Sequence, residues 1–283
     1  MKLRTSLFLG AALMLVLSSC KKEEPNGATT PASKLRGKVE LYDKWGNIVI
    51  TGRSGTQAFL TGQFQNFQAT TDNTGRFEFS DLPDGTYTVS VTRDGYATGQ
   101  IANILFSKNS PTLAVQGEYQ LLPTITLGVV STAEVDSTEF MVFYDTQIIF
   151  VDTINEPWET AIDTLSANLY LRGVIGPVTP VPNAKTGYRV FLGKTPNTSP
   201  SNYLHTTHGV VSVNQNSAEP GVVEIIWNQQ QWTNLGFSKG DMVYARIYGD
   251  AVNPIVYESP GGQTIFPTLS DEFGAGMDMI ANF

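Results

Sequence analysis

The chain has 283 residues, a formal net charge of −8 and a single cysteine. Its first 19 residues hold two bases and no acid, so the rest carries 16 bases, 26 acids and a net charge of −10. This balance argues against nucleic acid as a partner, since a general basic field is lacking. A single cysteine also excludes an intrachain disulfide and a zinc centre built from several cysteines.

The first predicted element is a secretory signal peptide at residues 1–19. A basic start precedes an apolar run at residues 7–17, which is shorter than the roughly 20 apolar residues that span a bilayer. Leu17-Ser18-Ser19-Cys20 resembles the lipobox of a bacterial lipoprotein. The resemblance implies a lipid on Cys20, which would make the membrane a partner and leave no thiol for catalysis. The alternative is an ordinary signal peptide with an incidental cysteine.

Residues 20–34 are predicted to be the lipidated cysteine and a disordered tether. Residues 23–33 have almost no large apolar side chain, so they bury too little surface to fold. Lys21, Lys22, Glu23 and Glu24 resemble the surface-export signal of Bacteroidetes lipoproteins. This resemblance implies a lipid anchor in the outer membrane and exposure on the cell surface. An anchor that faces the periplasm is the alternative.

Residues 35–121 are predicted to be a first β-sandwich. Apolar residues alternate in short segments between turns that contain Gly, Asp or Asn, which is typical of half-buried strands. Gly37-Lys38-Val39, Gly75-Arg76-Phe77 and residues 82–89 resemble the carboxypeptidase regulatory-like domain, a small transthyretin-like sandwich. Residues 51–69 depart from that family's pattern, and we expect them to form an extra hairpin or a binding loop.

Residues 122–283 are predicted to be a larger β-sandwich of immunoglobulin-like type, because short strands alternate with turns. The candidate strands are 124–130, 139–144, 168–172, 188–192, 222–228, 242–248 and 255–258. Residues 235–248 resemble a strand of a fibronectin type III domain with its preceding loop. Long loops at 149–162 and 193–215 would hold the residues beyond the roughly 100 of a plain sandwich. The predicted fold class is all-β, with two tandem β-sandwiches behind a lipoprotein signal and a flexible tether.

The sequence contains no assembled catalytic motif, and we predict a protein that is not an enzyme and uses no cofactor or metal. The only histidines, His205 and His208, lie three apart in a segment that reads as loop or strand. One alternative is a carbohydrate hydrolase that uses a pair of loop carboxylates. The acids considered for it are Glu156, Glu159, Asp163, Asp271 and Glu272. A purely structural envelope spacer is the other alternative.

Loop tryptophans are the candidate ligand contacts, because sugars bind flat aromatic faces beside polar side chains. Trp45 lies in a turn, Trp158 in an acidic loop and Trp232 after a run of glutamines. Each could instead cap the core, and Trp227, in an apolar strand, is expected to be core. We therefore predict a binding or accessory module whose partner is a glycan or an outer-membrane protein.

Three short motifs resemble the O-glycosylation motif of Bacteroidetes secreted proteins. They place candidate acceptors at Ser137, Thr153 and Thr164. Modification at these positions would require that this part of the chain be exposed.

Overall fold

The computed structural model is all-β apart from one short helix in the part of the chain that it describes, which confirms the predicted all-β sandwich architecture. The structure describes residues 32–150, 160–176, 185–212, 221–238, 240–271, 273–274 and 278–280. Outside these ranges lie the signal peptide, Cys20, Lys21, Lys22, Glu23, Glu24, Thr153, Glu156, Trp158, Glu159 and Glu272. Within the described ranges, the helix is too short to cross a bilayer.

Ten strands form the first β-sandwich. They are β1 (Lys34–Tyr42), β2 (Ile48–Val49), β3 (Gln57–Gly62), β4 (Asn66–Thr70), β5 (Arg76–Phe79), β6 (Gly85–Thr92), β7 (Gly99–Phe106), β8 (Ala114–Gln116), β9 (Tyr119–Leu121) and β10 (Ile125–Gly128). One sheet has the order β4-β3-β6-β7, and the other is built on β1 with β2, β5, β8, β9 and β10. β1 pairs in parallel with β9 through its first half and with β10 through its second half.

Alternating apolar residues build the core between these two sheets, as the sequence pattern predicts. Leu35, Gly37, Val39 and Leu41 of β1 are buried, and the residues that alternate with them are less buried because successive side chains of a strand point to opposite faces. Phe77 in β5 and Tyr87 in β6 lie in the same core. The turns lie between these strands, so the alternation of side chains inside and outside the core continues along each strand.

The departure at residues 51–69 is an extra hairpin, the first of the two expected alternatives. β3 lies between β4 and β6, and β4 forms the edge of the sheet. Phe67 packs edge-on to Tyr87, with ring centroids 6.4 Å apart. Phe64, near the turn of the hairpin, is 92% exposed.

Strand β10 belongs to the first sandwich, which therefore continues beyond the expected boundary at residue 121. Its residues pair with β1 from Val39↔Ile125 to Tyr42↔Gly128. The side chains of Ile125 and Leu127 are buried in the first core. The sequence predicted this strand but placed it in the second sandwich, because alternation does not reveal a strand's partner.

The second sandwich holds the remaining strands and the helix. They are β11 (Glu134–Phe150), β12 (Thr160–Gly176), β13 (Lys185–Gly193), β14 (His205–Ser212), β15 (Gly221–Asn228), α1 (Gln229–Asn234), β16 (Met242–Asp250), β17 (Tyr257–Glu258), β18 (Thr264–Ile265), β19 (Phe273–Gly274) and β20 (Asp278–Ile280). One sheet has the order β11-β12-β15. The other is β14-β13-β16, with β19 and β20 both paired to β16. The fibronectin type III resemblance stays a prediction.

Strands β11 and β12 are each 17 residues long, so the predicted loop at 149–162 is wrong at both ends. The third strand, β15, pairs with β12 only between Asn168 and Ile175. The pairing of β11 with β12 continues beyond the part of β12 that pairs with β15, from Thr146↔Thr164 to Phe150↔Thr160. We call residues 146–150 and 160–164 the arm. A shift of register next to Asp145 marks the base of the arm, as a β-bulge does.

The predicted loop at 193–215 is also partly wrong, because residues His205–Ser212 form β14. Its Gly, Asn, Ser and Thr neighbours favour turns in isolation, whereas pairing with β13 fixes the extended conformation. His205 and His208 therefore lie three apart on a strand, and their side chains point to opposite faces.

Candidate functional site

The two sandwiches meet at a junction that hydrogen bonds hold in place, within one compact unit. Asn253 Nδ2 donates to the Gly46 carbonyl of the first sandwich at 2.7 Å. The Ser131 amide, in the link between the sandwiches, donates to the Thr268 carbonyl at 3.0 Å. A methyl group on Gly46 would lie only 2.7 Å from Val252 Cγ1, so the two surfaces are closely packed there.

A cavity of about 320 Å³ opens at this junction. It is lined by Lys44, Trp45, Val129, Val130, Ser131, Thr132, Ala133, Lys185, Thr186, Gly187, Asp250 and Ala251. These residues come from the turn after β1, the link between β10 and β11, the start of β13 and the end of β16. The volume is at the lower end of the range of small-ligand sites, so the cavity suits a ligand of about one sugar ring.

A rigid turn presents Trp45 to the cavity. One carboxylate oxygen of Asp43 accepts from the amides of Trp45 at 2.9 Å and Asn47 at 2.8 Å. Gly46 has φ +78°, a conformation that residues with a Cβ rarely adopt. The indole is half-buried, and Lys44 Nζ lies 4.5 Å from its ring centroid in a cation–π contact. The side chain is therefore partly accessible but held in place.

Asp250 forms the floor of the cavity, and it is fully engaged within the protein. Its Oδ2 accepts from Arg189 Nε at 2.8 Å in a buried ion pair. Its Oδ1 accepts from the Ala251 amide at 2.8 Å and from Thr268 Oγ1 at 2.6 Å. Burial of a carboxylate requires partners of this kind, because an unpaired buried charge is costly. The Asp250 carboxylate therefore holds the residues at the floor of the cavity in place and has little capacity left to accept hydrogen bonds from a ligand.

His208 adjoins this network from the neighbouring strand. Its Nε2 lies 3.1 Å from the Ala251 carbonyl, and since a carbonyl only accepts, Nε2 carries the proton. Burial lowers the pKa of His208 below 6.5, and the charge of Arg189 acts in the same direction. The hydrogen bond to Ala251 and the charge of Asp250 oppose the shift. The ring is therefore held neutral beside the cavity at neutral pH.

The rim supplies polar groups around the indole. Ser131, Thr132 and Thr186 contribute hydroxyls, and Lys44 and Lys185 contribute ammonium groups. Hydroxyls both donate and accept hydrogen bonds, whereas an ammonium group only donates. In the part of the chain that the structure describes, no three metal-ligating side chains come together. The lining is thus suited to binding a polar, hydroxyl-rich ligand on an aromatic face.

The structure separates the tryptophans that the sequence singled out. Trp45 lines the cavity. Trp232 is 1% exposed and stacks on Phe237 with centroids 4.2 Å apart, so its prediction as a ligand contact is wrong. It lies on α1, a six-residue helix with Asn228 and Gln231 in a capping box, which is too short for a recognisable helical period. Trp227 is core, as predicted.

Sequence reasoning missed Lys44, Lys185, Thr186 and Asp250 as neighbours of Trp45. They lie far apart in the chain, and their position depends on how the two sandwiches meet. The only local signal was a tryptophan in a turn stabilised by aspartate and glycine. Ser137 and Thr164 lie in β11 and β12, and their modification stays a prediction.

Solved structures resemble this chain at low levels of similarity. A cohesin–X-dockerin complex chain of Acetivibrio cellulolyticus is 24% identical over 34% of this chain, which spans 56% of that chain, with a TM-score of 0.25. A "putative carbohydrate binding protein" from Bacteroides uniformis is 9% identical, with 88% and 99% of the two chains covered and a TM-score of 0.29. A DUF3823 family protein from Parabacteroides merdae is 17% identical, with 86% and 98% covered and a TM-score of 0.22.

Comparison with curated proteins found no match. Among protein families, the carboxypeptidase regulatory-like domain matches residues 47–121. The match covers the part of the first sandwich that contains β2 to β9, and it confirms the resemblance of the first predicted sandwich. A carboxypeptidase regulatory-like domain is thus found at residues 47–121 of this chain.

Proposed function

We propose that the protein is a non-catalytic accessory module of the cell envelope that binds a glycan in the junction cavity. The observation that carries the proposal is the half-buried indole of Trp45, which lines a cavity whose rim carries hydroxyl and ammonium groups. A sugar presents an apolar face of C–H bonds and a rim of hydroxyls. The indole would stack on the apolar face of the sugar, and the polar residues at the rim would form hydrogen bonds with its hydroxyls.

A binding role is favoured over hydrolysis by the state of the acidic group in the cavity. Asp250 is the one carboxylate among the described lining residues, and both of its oxygens are engaged by protein groups. Glycoside hydrolysis requires two carboxyl groups on either side of the scissile bond. The cavity therefore offers a surface for recognition without a pair of acids for bond cleavage.

In this proposal Cys20 carries the lipid, and the residues that follow it form a tether that exposes both sandwiches at the outer membrane surface. The expected end of the tether at residue 34 is wrong, because β1 begins at Lys34 and Ala32 is buried. Lipidation with more than one acyl chain would make the attachment stable. A binding module held in this way would concentrate a glycan next to proteins of the same membrane.

The test is calorimetric titration of the mature protein with a panel of neutral mono- and oligosaccharides. We expect binding that Trp45→Ala weakens by about tenfold or more, since the loss of an aromatic contact that contributes about 1.4 kcal/mol changes affinity by that factor. Phe64→Ala, which removes an exposed aromatic outside the cavity, is the control and should bind as the wild type does. Equal affinities of the wild type and Trp45→Ala for every bound sugar would refute the proposal.

A second candidate function, docking to an outer-membrane protein, is favoured by the arm. In the described part of the chain, the residues of the arm pair only with each other, so backbone groups along its outer edges have no ladder partner. An isolated two-stranded ribbon is only marginally stable in water. A strand from another protein could add to such an edge.

Lysine in an edge strand disfavours the addition of another strand. We therefore expect Gln147→Lys to reduce cross-linking to an outer-membrane partner on intact cells, measured by mass spectrometry of the purified adduct. Val210→Lys introduces the same residue in β14, an edge strand of the other sheet, and serves as the control. Undiminished cross-linking by Gln147→Lys would exclude the arm as the docking element.

A further inference from the structure

A second cleft lies on the outer face of the first sandwich, apart from the junction cavity. Its volume is about 450 Å³. It is lined by Arg36, Gly37, Lys38, Arg76, Gln116, Gly117, Tyr119, Leu121 and Leu122. Three of these residues are basic and none is acidic, although the whole chain carries a net charge of −8. Arg36 and Lys38 are paired with carboxylates that do not line the cleft, so among the described residues Arg76 is the base of the cleft without an ion pair.

Two of the acids near these bases line a different cleft. A neighbouring cleft shares Arg36 and Arg76 but is also lined by Asp72 and Glu78. The two arginines thus stand between a cleft of mixed charge and a cleft whose lining contains bases but no acid. Charge complementarity favours an anion in the basic cleft only.

Arg36 is held rigidly at the wall of the basic cleft. Its guanidinium carbon lies 3.3 Å from the centroid of the Tyr119 ring, and its Nη2 donates to Glu78 Oε2 at 3.1 Å. A guanidinium fixed between an aromatic face and a carboxylate loses little further freedom when it binds a ligand.

Lys38 and Arg76 form a cross-strand pair of like charge. They are directly opposite each other in the register of β1 and β5, an arrangement that destabilises a sheet. Lys38 is paired with Glu40 at 2.7 Å. Among the described residues, the exposed guanidinium of Arg76 has no ion-pair partner. An anion placed between the two bases would remove their repulsion.

We propose that this cleft binds an acidic glycan, with a sulfate or carboxylate substituent held between Lys38 and Arg76. Gln116 and the edge of Tyr119 would contact the sugar that carries the substituent. A single charged substituent of a glycan can enter a concave cleft of about 450 Å³, whereas the flat surface of an anionic membrane does not fit into it. The proposal concerns a different site from the junction cavity and does not depend on it.

The test compares oligogalacturonate and sulfated dextran oligomers with neutral dextran of the same length, by calorimetry on the mature protein. We expect the acidic oligomers alone to bind, and Arg76→Gln to weaken them about tenfold, since a lost charge-assisted hydrogen bond has that effect. Lys108→Gln makes the same change of charge outside the cleft and should alter affinity by less than about twofold.

Three results of the binding measurements would overturn the proposal. They are wild-type protein that binds neither acidic oligomer, Arg76→Gln that binds as tightly as the wild type, and binding of anionic lipid vesicles without binding of the oligomers. A stability measurement separates a binding role from a structural one. Arg76→Glu should pair with Lys38 and raise the melting temperature of the free protein while abolishing oligomer binding. A lower melting temperature with wild-type binding would also overturn the proposal.

Discussion

At the scale of single residues, the buried ion pair of Arg189 and Asp250 determines the floor of the junction cavity. The side chains are 7% and 1% exposed, so water cannot replace either partner. Their hydrogen bonds continue to Thr268 and the Ala251 amide. Removing one partner would leave a buried charge without compensation, which is among the most destabilising changes in proteins.

We predict that Arg189→Gln lowers the free energy of unfolding by about 3 kcal/mol. Lys194→Gln is the matched control, because Lys194 pairs with Asp241 at 2.7 Å, close to the 2.8 Å of the buried pair, but in a more exposed setting, where a pair contributes less than about 1 kcal/mol. Urea denaturation of both variants measures the difference. Similar losses in the two variants would show that the buried network is not important for stability.

His208 gives the protein a pH dependence whose sign follows from its environment. Burial lowers the pKa of His208 in the folded state, so the unfolded chain binds more protons just below pH 6.5. The stability that the neutral ring contributes is therefore complete above that pH and is lost as the pH falls through the folded pKa. Arg189 and Asp250 are the charged groups that act on the ring.

We predict that stability declines between pH 7 and pH 5.5 and that His208→Gln makes this decline shallower. Glutamine keeps an N–H donor for the Ala251 carbonyl but does not titrate. Burial also lowers the pKa of His205. His205→Gln should therefore remove the part of the decline in stability that is due to His205 and leave the part that is due to His208. Thermal unfolding at several pH values tests this prediction. If stability depended on pH as steeply in His208→Gln as in the wild type, the prediction would be contradicted.

At the scale of elements, the turn between β1 and β2 sets the position of Trp45. Asp43 closes the turn through its carboxylate, and Gly46 supplies the positive φ. The sequence shows these turn residues directly, which is why the turn was predictable. The packing of Gly46 against Val252 was not predictable, because it depends on contact between the two sandwiches.

The substitutions Gly46→Ala and Gly95→Ala separate the effect of the positive φ from the effect of packing against the second sandwich. Both glycines have φ near +79°, so each alanine should cost about 1 kcal/mol in backbone strain. Only at Gly46 would the new methyl group meet a neighbour, Val252, whereas Gly95 has open space. We predict a clearly larger loss of unfolding free energy for Gly46→Ala, together with weaker sugar binding. Equal losses would mean that the turn is not packed against the second sandwich.

Predictability differed between elements for physical reasons. β1, β5 and β6 bury one face, so alternation in the sequence marked them. β14 and the arm lack an alternation that marks a buried face, and long-range pairing rather than a local pattern defines them. Helix α1 has only six residues and depends on its capping box and on Trp232.

At the scale of the whole molecule, the two sandwiches are joined by strand β10 and the link that follows it. β10 completes the first sheet, and Ser131, three residues after it, bonds to Thr268 in the second sandwich. The sequence indicated two sandwiches but not this junction. The cavity partners of Trp45 could therefore not be found until the strand partners were known.

Two fragments test the position of the domain boundary. We predict that residues 32–130 fold cooperatively, whereas residues 32–121 are far less stable, because they lack Ile125 and Leu127, which are 4% and 0% exposed. Each such side chain contributes about 1.5–3 kcal/mol when buried, a large part of the stability of a small domain. Circular dichroism during thermal unfolding measures this. Equal stability would place the boundary at residue 121.

The most direct test of the central claim is fluorine NMR of the mature protein labelled with fluorinated tryptophan. The chain has four tryptophans, and a Trp45→Phe variant assigns the resonance of Trp45. We predict that a bound sugar shifts this resonance in proportion to occupancy and leaves that of the buried Trp232 in place. A sugar that binds while the Trp45 resonance stays unmoved would contradict the account.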